Sequence, residues 1–171
     1  MRTLVVYYSR TGKTELIAKE IAKVLSGDII TIEEVKHRKG FFGFVTAGYD
    51  AIKEKCSEIK ITDFKKQTIL ANLERTALDN YDLIFVGTPV WAGKPTPAIN
   101  TFISTVDFRD KKVVAFVTMA MKSGEDVVKI LTHRINSKGG VVVNSFVIKT
   151  GKVEDKVLIE KAQEIGRQYK N

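Results

Sequence analysis

Hydrophobic positions along the chain fall into two recurring patterns, short β-branched runs and longer stretches with helical spacing. Residues 3 to 8, Thr-Leu-Val-Val-Tyr-Tyr, form a compact apolar run whose length and flanks suit a buried strand. Ile17, Ala18, Ile21, Ala22 and Leu25 then recur on one helical face, which predicts an amphipathic helix over 14–25, ended by Ser26-Gly27. A second strand is expected over 28–34 through Ile29, Ile30 and Ile32, and a third over 81–87. A Pro-bearing loop follows, then a helix from Pro97 to Thr105. Residues 112–118 read as a fourth strand, and residues 124–137 carry Val127, Val128, Leu131 and Ile135 on one helical face. A Val-rich fifth strand is expected over 140–148. Val157, Leu158, Ala162, Ile165 and Tyr169 mark a closing helix.

Strands alternating with helices predict a parallel sheet covered on both faces. Right-handed crossovers leave few topologies. The expectation is an α/β fold of three layers, α/β/α, with a doubly wound five-stranded parallel sheet in the order 2-1-3-4-5. The 171 residues fit one domain spanning 1–171, interrupted by a long connection at 37–80. In that connection Phe41, Phe44, Val45, Gly48 and Ile52 have helical spacing and predict a helix over about 41–55. Residues 59–78 are ambiguous. Ile59 and Ile61 alternate with charge like an edge strand, whereas Ile69, Leu70 and Leu73 suit a helical turn.

Composition narrows the class. Hydrophobic residues make up 44% of the chain and charged residues 28%, too apolar for disorder. The single cysteine, Cys56, excludes an internal disulfide and a cysteine-based metal cluster, and is expected to be partly buried. His37 and His133 are too isolated to predict a zinc site, so no metal ligands are assigned. The first apolar run is too short for a signal-peptide core or a membrane span, and a cytoplasmic location is expected. The net charge of +8 points to an anionic cofactor, an anionic partner or nucleic acid. Its densest patch is Lys36-His37-Arg38-Lys39, followed by Phe41 and Phe42. Nucleic acid is disfavoured because no binding motif accompanies the charge and the cations are spread along the chain.

The candidate chemistry lies in the loop between the first strand and the first helix, Ser9-Arg10-Thr11-Gly12-Lys13-Thr14. Hydroxyls, one glycine and two cations at a helix N-terminus suit an anion, because unpaired backbone N–H groups and the helix dipole favour negative charge there. A plain capped helix, with Ser9 or Thr11 as N-cap, accounts for the same residues. Gly12-Lys13-Thr14 imitates the end of a nucleoside-triphosphate loop, but the position requiring the leading glycine holds Tyr7. The loop is too short to wrap two phosphates and suits a single terminal one.

These residues resemble the flavodoxin family. The hydroxyl-rich stretch from Tyr8 to Glu15 is similar to that family's phosphate loop for flavin mononucleotide (FMN), and Val86-Gly87-Thr88-Pro89-Val90-Trp91-Ala92-Gly93 resembles the loop bordering the flavin ring. Both follow strands that neighbour one another at the switch point of the expected fold. The resemblance implies that Ser9, Arg10, Thr11, Gly12, Lys13 and Thr14 hold the FMN phosphate. It implies that Thr88, Pro89, Val90, Trp91, Ala92 and Gly93 line the isoalloxazine ring. The loop after strand four, with Met119, Ala120, Met121 and Ser123, would lie on the ring's other side. Electron-carrying members of the family often place an aromatic there, and this chain offers methionines. From sequence alone, Trp91 as a packed indole and Met119 and Met121 as core fillers are the competing readings.

The resemblance implies an FMN-binding redox protein passing electrons to or from a protein partner. No catalytic acid, base or nucleophile is assigned, since electron transfer needs none. The alternative is an FMN-dependent NAD(P)H oxidoreductase acting on a quinone or similar small acceptor, with NAD(P)H as electron source; whether the chain is an enzyme is left open at this point. Lys94 and Lys122 fall in the two expected ring loops. A cation about 4 Å from an anion, at an effective dielectric of about 20, contributes on the order of 4 kcal/mol, and about 1.4 kcal/mol corresponds to about 59 mV for one electron. The sign of that effect predicts a higher flavin potential than in acidic relatives.

Overall fold

The computed structural model describes residues 1–35, 46, 49–53, 56–63 and 78–170. Strand β1 (Thr3–Tyr8) leads to helix α1 (Lys13–Leu25), then to β2 (Asp28–Glu34) and β3 (Ile59–Asp63). Strand β4 (Leu83–Pro89), helix α2 (Pro97–Thr105), β5 (Lys112–Met119), α3 (Gly124–Ser137), β6 (Val141–Lys149) and α4 (Asp155–Arg167) complete the chain.

Among the described residues, the sheet has six strands in the order β3-β2-β1-β4-β5-β6. Pairings of β1 with β2 and β4, of β4 with β5 and of β5 with β6 are parallel. Those five strands, counted by themselves, have the expected 2-1-3-4-5 order. The expected count of five is corrected by β3, which pairs antiparallel with β2, from Glu34↔Ile59 to Ile30↔Asp63. The chain doubles back at this edge, where no right-handed crossover is required.

Alternation along β1 sorts the core into two halves. Leu4, Val6 and Tyr8 face the side that packs under α2 and α3, with Ile99, Phe102 and Leu131. Val5 and Tyr7 face α1 and α4, with Ile17, Ile21 and Leu158. Every residue of β1 is buried, as a central parallel strand covered on both faces requires. Gly87 in β4 is a packing requirement: a β-carbon there would lie 2.1 Å from Phe116 Cζ. The ring of Phe116, fully buried, occupies the space that any other residue would fill.

Within the long connection, Ser57 N–H donates to Thr101 Oγ1 at 2.9 Å and the Thr101 hydroxyl lies 2.7 Å from Ser57 O, pinning the segment to α2. Cys56, expected to be partly buried, is exposed. The anchoring falls on the backbone of its neighbour Ser57 and leaves the thiol on the surface. Residues 49–52 are helical. The rest of the helix expected over 41–55, the basic run 36–39, Phe41, Phe42 and the 69–73 turn lie outside the described residues, apart from residues 46 and 53.

Candidate functional site

Because the central strands are parallel, the loops after β1, β4 and β5 emerge at one end of the sheet. The first of them ends in Gly12, the N-cap of α1, at φ 85°. No β-carbon contact lies within 4 Å of it, so backbone conformation rather than space demands glycine. Leu16 N–H reaches Gly12 O at 2.8 Å and closes the first helical turn. The N–H groups of Lys13, Thr14 and Glu15 precede that bond and have no acceptor within the helix. Gly12 brings no side chain to cap them. The N-cap roles that the sequence allowed for Ser9 and Thr11 are therefore not taken up, since the cap position falls one residue beyond Thr11.

Ser9 Oγ is buried at the start of this loop and has no hydrogen-bond partner among the described residues. A buried hydroxyl without a partner costs about 1–3 kcal/mol unless something supplies one. The three N–H groups and the positive end of α1 suit an anion of the size of one terminal phosphate, and Ser9 lies in the loop that leads to them. The residues present thus fit the group that the sequence suggested.

Two loop residues point elsewhere. Lys13 Nζ is 2.6 Å from Asp155 Oδ1 in the first turn of α4. Thr14 is buried, and its hydroxyl lies 2.8 Å from that of Thr118 near the end of β5. From these two positions the backbone N–H groups remain at the mouth of the helix, while the side chains brace it. Thr11 is exposed.

The loop after β4 folds into a tight turn. Trp91 N–H donates to Lys94 O at 3.0 Å, and Lys94 N–H donates to Trp91 O at 2.9 Å. The central residues, Ala92 at φ 47° and Gly93 at φ 75°, are both left-handed, as a type I′ turn requires. Ala92 carries this conformation without glycine's freedom, a local strain on the order of 1 kcal/mol. Thr88 is fully buried; its hydroxyl sits 3.2 Å from that of Thr96 and 3.1 Å from Pro89 O. Its side chain secures the loop from inside, and the turn itself presents Ala92 and Gly93.

Trp91 joins two loops. Its ring meets Tyr8 edge-on at 5.4 Å, and the Arg10 guanidinium lies 5.8 Å from its centroid. The third loop is close by, because a β-carbon on Gly93 would lie 3.8 Å from Ser123. There, Ser123 caps α3 in the left-handed region, φ 72°, with no side-chain cap bond. Met119 turns inward, its sulfur 2.9 Å from where a β-carbon on Gly124 would sit, while Met121 is 82% exposed. The two methionines thus divide into a packing residue and a surface one. Ala120 is exposed.

Sequence reasoning did not single out Glu34. It ends the buried face of β2 after Ile30 and Ile32, is 8% exposed, and has Oε2 3.5 Å from Tyr8 Oη. A carboxylate at the third position of a buried alternation was the available signal. Beneath the loops, burial pushes the Tyr7 phenol up to about 12, although the Thr31 hydroxyl, 2.8 Å away, acts against the rise. A cleft of about 570 Å³ bounded by Met1, Arg2, Thr3, Leu25, Ser26 and Asp28 opens at the opposite end of the sheet, away from all three loops.

A family model for flavodoxins matches residues 2–159. The chain belongs to the flavodoxin family. Its fold is shared with a flavoprotein from Lactobacillus acidophilus solved in complex with FMN, at 22% identity and a TM-score of 0.67, covering 94% of this chain and 97% of that one. Oxidised flavodoxin 1 from Bacillus cereus is similar at 19% identity and 0.59, over 98% and 96% of the two chains. A flavodoxin, WrbA-like protein from Agrobacterium tumefaciens matches at 19% and 0.58, over 99% of each chain. No match is found among curated proteins. Among the described residues, no helix is long and apolar enough to cross a membrane.

Proposed function

We propose that this flavodoxin-family protein carries FMN and passes electrons between partners. The observation that carries the proposal is the uncapped N-terminus of α1, preceded in the same loop by the Ser9 hydroxyl, buried and without a hydrogen-bond partner among the described residues. FMN, when bound, supplies reversible electron uptake and release. The chain's own part is to hold the phosphate at residues 9–14 and to set the ring between the turn at 90–93 and the loop at 119–123. The turn at Ala92-Gly93 would offer its backbone groups to the ring, and Trp91, in contact with Tyr8 and Arg10, would pack beside it.

A second reading, an FMN-dependent NAD(P)H oxidoreductase, is favoured by Glu34. Simple electron transfer has no use for a carboxyl group buried beside Tyr8. The experiment is a titration of purified protein with FMN, followed by addition of NADPH and a quinone. Quenched flavin fluorescence at stoichiometric FMN supports the cofactor assignment, and absence of binding overturns it. Quinone-dependent oxidation of NADPH at many turnovers favours the enzyme, and its absence favours the carrier.

A further inference from the structure

Lys13 is the first residue of α1, where the helix dipole disfavours a cation. Asp155 is the first residue of α4, where the dipole favours an anion. The two stand 142 residues apart in sequence, and Lys13 Nζ meets Asp155 Oδ1 at 2.6 Å. The pair joins the N-termini of two helices that pack on the same face of the sheet, where Ile17, Ile21 and Leu158 share one core. Asp155 thus supplies the negative charge that offsets a cation at the positive end of α1.

Thr14, the next residue, is braced differently. Its hydroxyl meets that of Thr118 in the interior, so breaking the contact would strand a buried polar group. The Lys13–Asp155 pair lies at the surface, with side chains 37% and 64% exposed. An exposed ion pair is weak and screened, and its partners are exchanged at little cost. The flexible stem of Lys13 lets the ammonium swing while the backbone N–H stays at the mouth of α1. A phosphate monoester at that mouth carries about two negative charges near neutral pH, against one on a carboxylate, and accepts strong charge-assisted hydrogen bonds. Glu15, the acid in the first turn of α1 itself, is engaged with Lys19 at 2.6 Å.

We propose that Asp155 competes with the cofactor's phosphate for Lys13 and so sets the affinity for FMN. Lys13 exchanges the carboxylate for the phosphate on binding, and the free energy of the broken pair is deducted from affinity. The inference rests on the reading of residues 9–14 as the phosphate site, and it adds the residue that weakens that site. Reciprocity requires that bound FMN loosen the tie between α1 and α4.

The test is a double-mutant cycle on flavin-free protein: wild type, Asp155→Asn, Lys13→Gln and the double variant, each titrated with FMN and with riboflavin by fluorescence quenching. Asp155→Asn is expected to tighten FMN about threefold and to leave riboflavin unchanged. Lys13→Gln is expected to weaken FMN about fivefold. In the Lys13→Gln background, Asp155→Asn should change FMN affinity by less than about 1.5-fold, because direct repulsion between exposed groups is screened. A second readout is the side-chain carboxyl carbon resonance of Asp155, which should shift on adding FMN to wild type and stay in place in Lys13→Gln. Unchanged or weaker FMN binding in Asp155→Asn would make the pair a brace of the fold and overturn the proposal. Equal tightening in both backgrounds would make Asp155 a plain repulsive charge and overturn it too, as would undiminished binding in Lys13→Gln. The ratio of FMN to riboflavin affinity in wild type scores the phosphate reading separately: a ratio near one fails that reading and the proposal with it, whereas a large ratio unmoved by Asp155→Asn fails the proposal alone.

Discussion

Helices α1 and α2 follow the two central strands and start at the same end of the sheet, yet their first turns are finished in opposite ways. At α2, Thr96 accepts from Ile99 N–H, Pro97 occupies the first helical position where no donor is needed, and Thr88 receives Thr96 N–H at 3.3 Å. Threonine hydroxyls thus satisfy the N–H groups of Thr96 and Ile99 at that end. At α1, glycine replaces the capping side chain, and the loop before it holds a buried serine hydroxyl without a partner among the described residues. An anion bound there, as proposed, would supply the acceptors that the chain itself does not.

Tyr7 ends the buried floor under α1, and its folded-state proton is held up to about 12, above the ordinary value of 10, mainly by burial. The folded state therefore keeps a proton that the unfolded chain releases first. Stability from this group is complete below pH 10 and falls as pH rises toward 12, by roughly 2–3 kcal/mol at most. Urea unfolding of wild type and Tyr7→Phe across that range should show the loss in wild type only.

The brace between α1 and β5 comes next. Thr14→Val removes one partner of a buried hydroxyl pair and should cost about 2 kcal/mol. Thr118→Val should cost a similar amount, and the double variant less than the sum, by about 1 kcal/mol. Strict additivity in chemical denaturation would show that the two hydroxyls do not act together.

Exchanging the two first turns sharpens the contrast further. Thr96→Ala should lower stability by about 1 kcal/mol and leave FMN affinity within about twofold. Ser9→Ala should do the reverse, leaving the flavin-free protein no less stable while FMN binds about tenfold more weakly. The smallest effect concerns the ring loops. Lys94→Gln and Lys122→Gln should each lower the flavin potential by on the order of 20 mV, because a cation near the reduced ring favours its negative charge and solvent screens most of it. A rise in a redox titration would reverse the electrostatic argument.

Much of the architecture was legible because its elements are buried on both faces. The runs 3–8, 28–34 and 112–118 predict strands to within one residue, and the spacing at 97–105 and 124–137 matches α2 and α3. Strand β4 lies two residues later than the pattern 81–87 suggests. Tyr81 and Asp82 precede the pairing, while Thr88 and Pro89 continue it against Val117 and Thr118. Proline at a strand's last position forfeits only one donor, so it does not end the pairing early. The alternation of Ile59 and Ile61 with charge, read as that of an edge strand, matches β3, while its antiparallel direction depends on the pairing with β2 that no local pattern shows. In the site, residues adjacent in sequence were readable and long-range partners were not. The contact of Lys13 with Asp155, 142 residues away, and of Thr14 with Thr118 could not be read from the loop's own residues. The positive φ of Gly12 depends only on local conformation.

The central claim is that the unspent donors of α1 bind the cofactor's terminal phosphate. The direct measurement is the dissociation constant of FMN against that of riboflavin, which has the same ring and no phosphate, by fluorescence quenching on the flavin-free protein. Two charge-assisted hydrogen bonds are worth about 3 kcal/mol, so FMN should bind on the order of a hundredfold more tightly. Equal affinities would mean that the phosphate does not sit at residues 9–14 and would contradict the account.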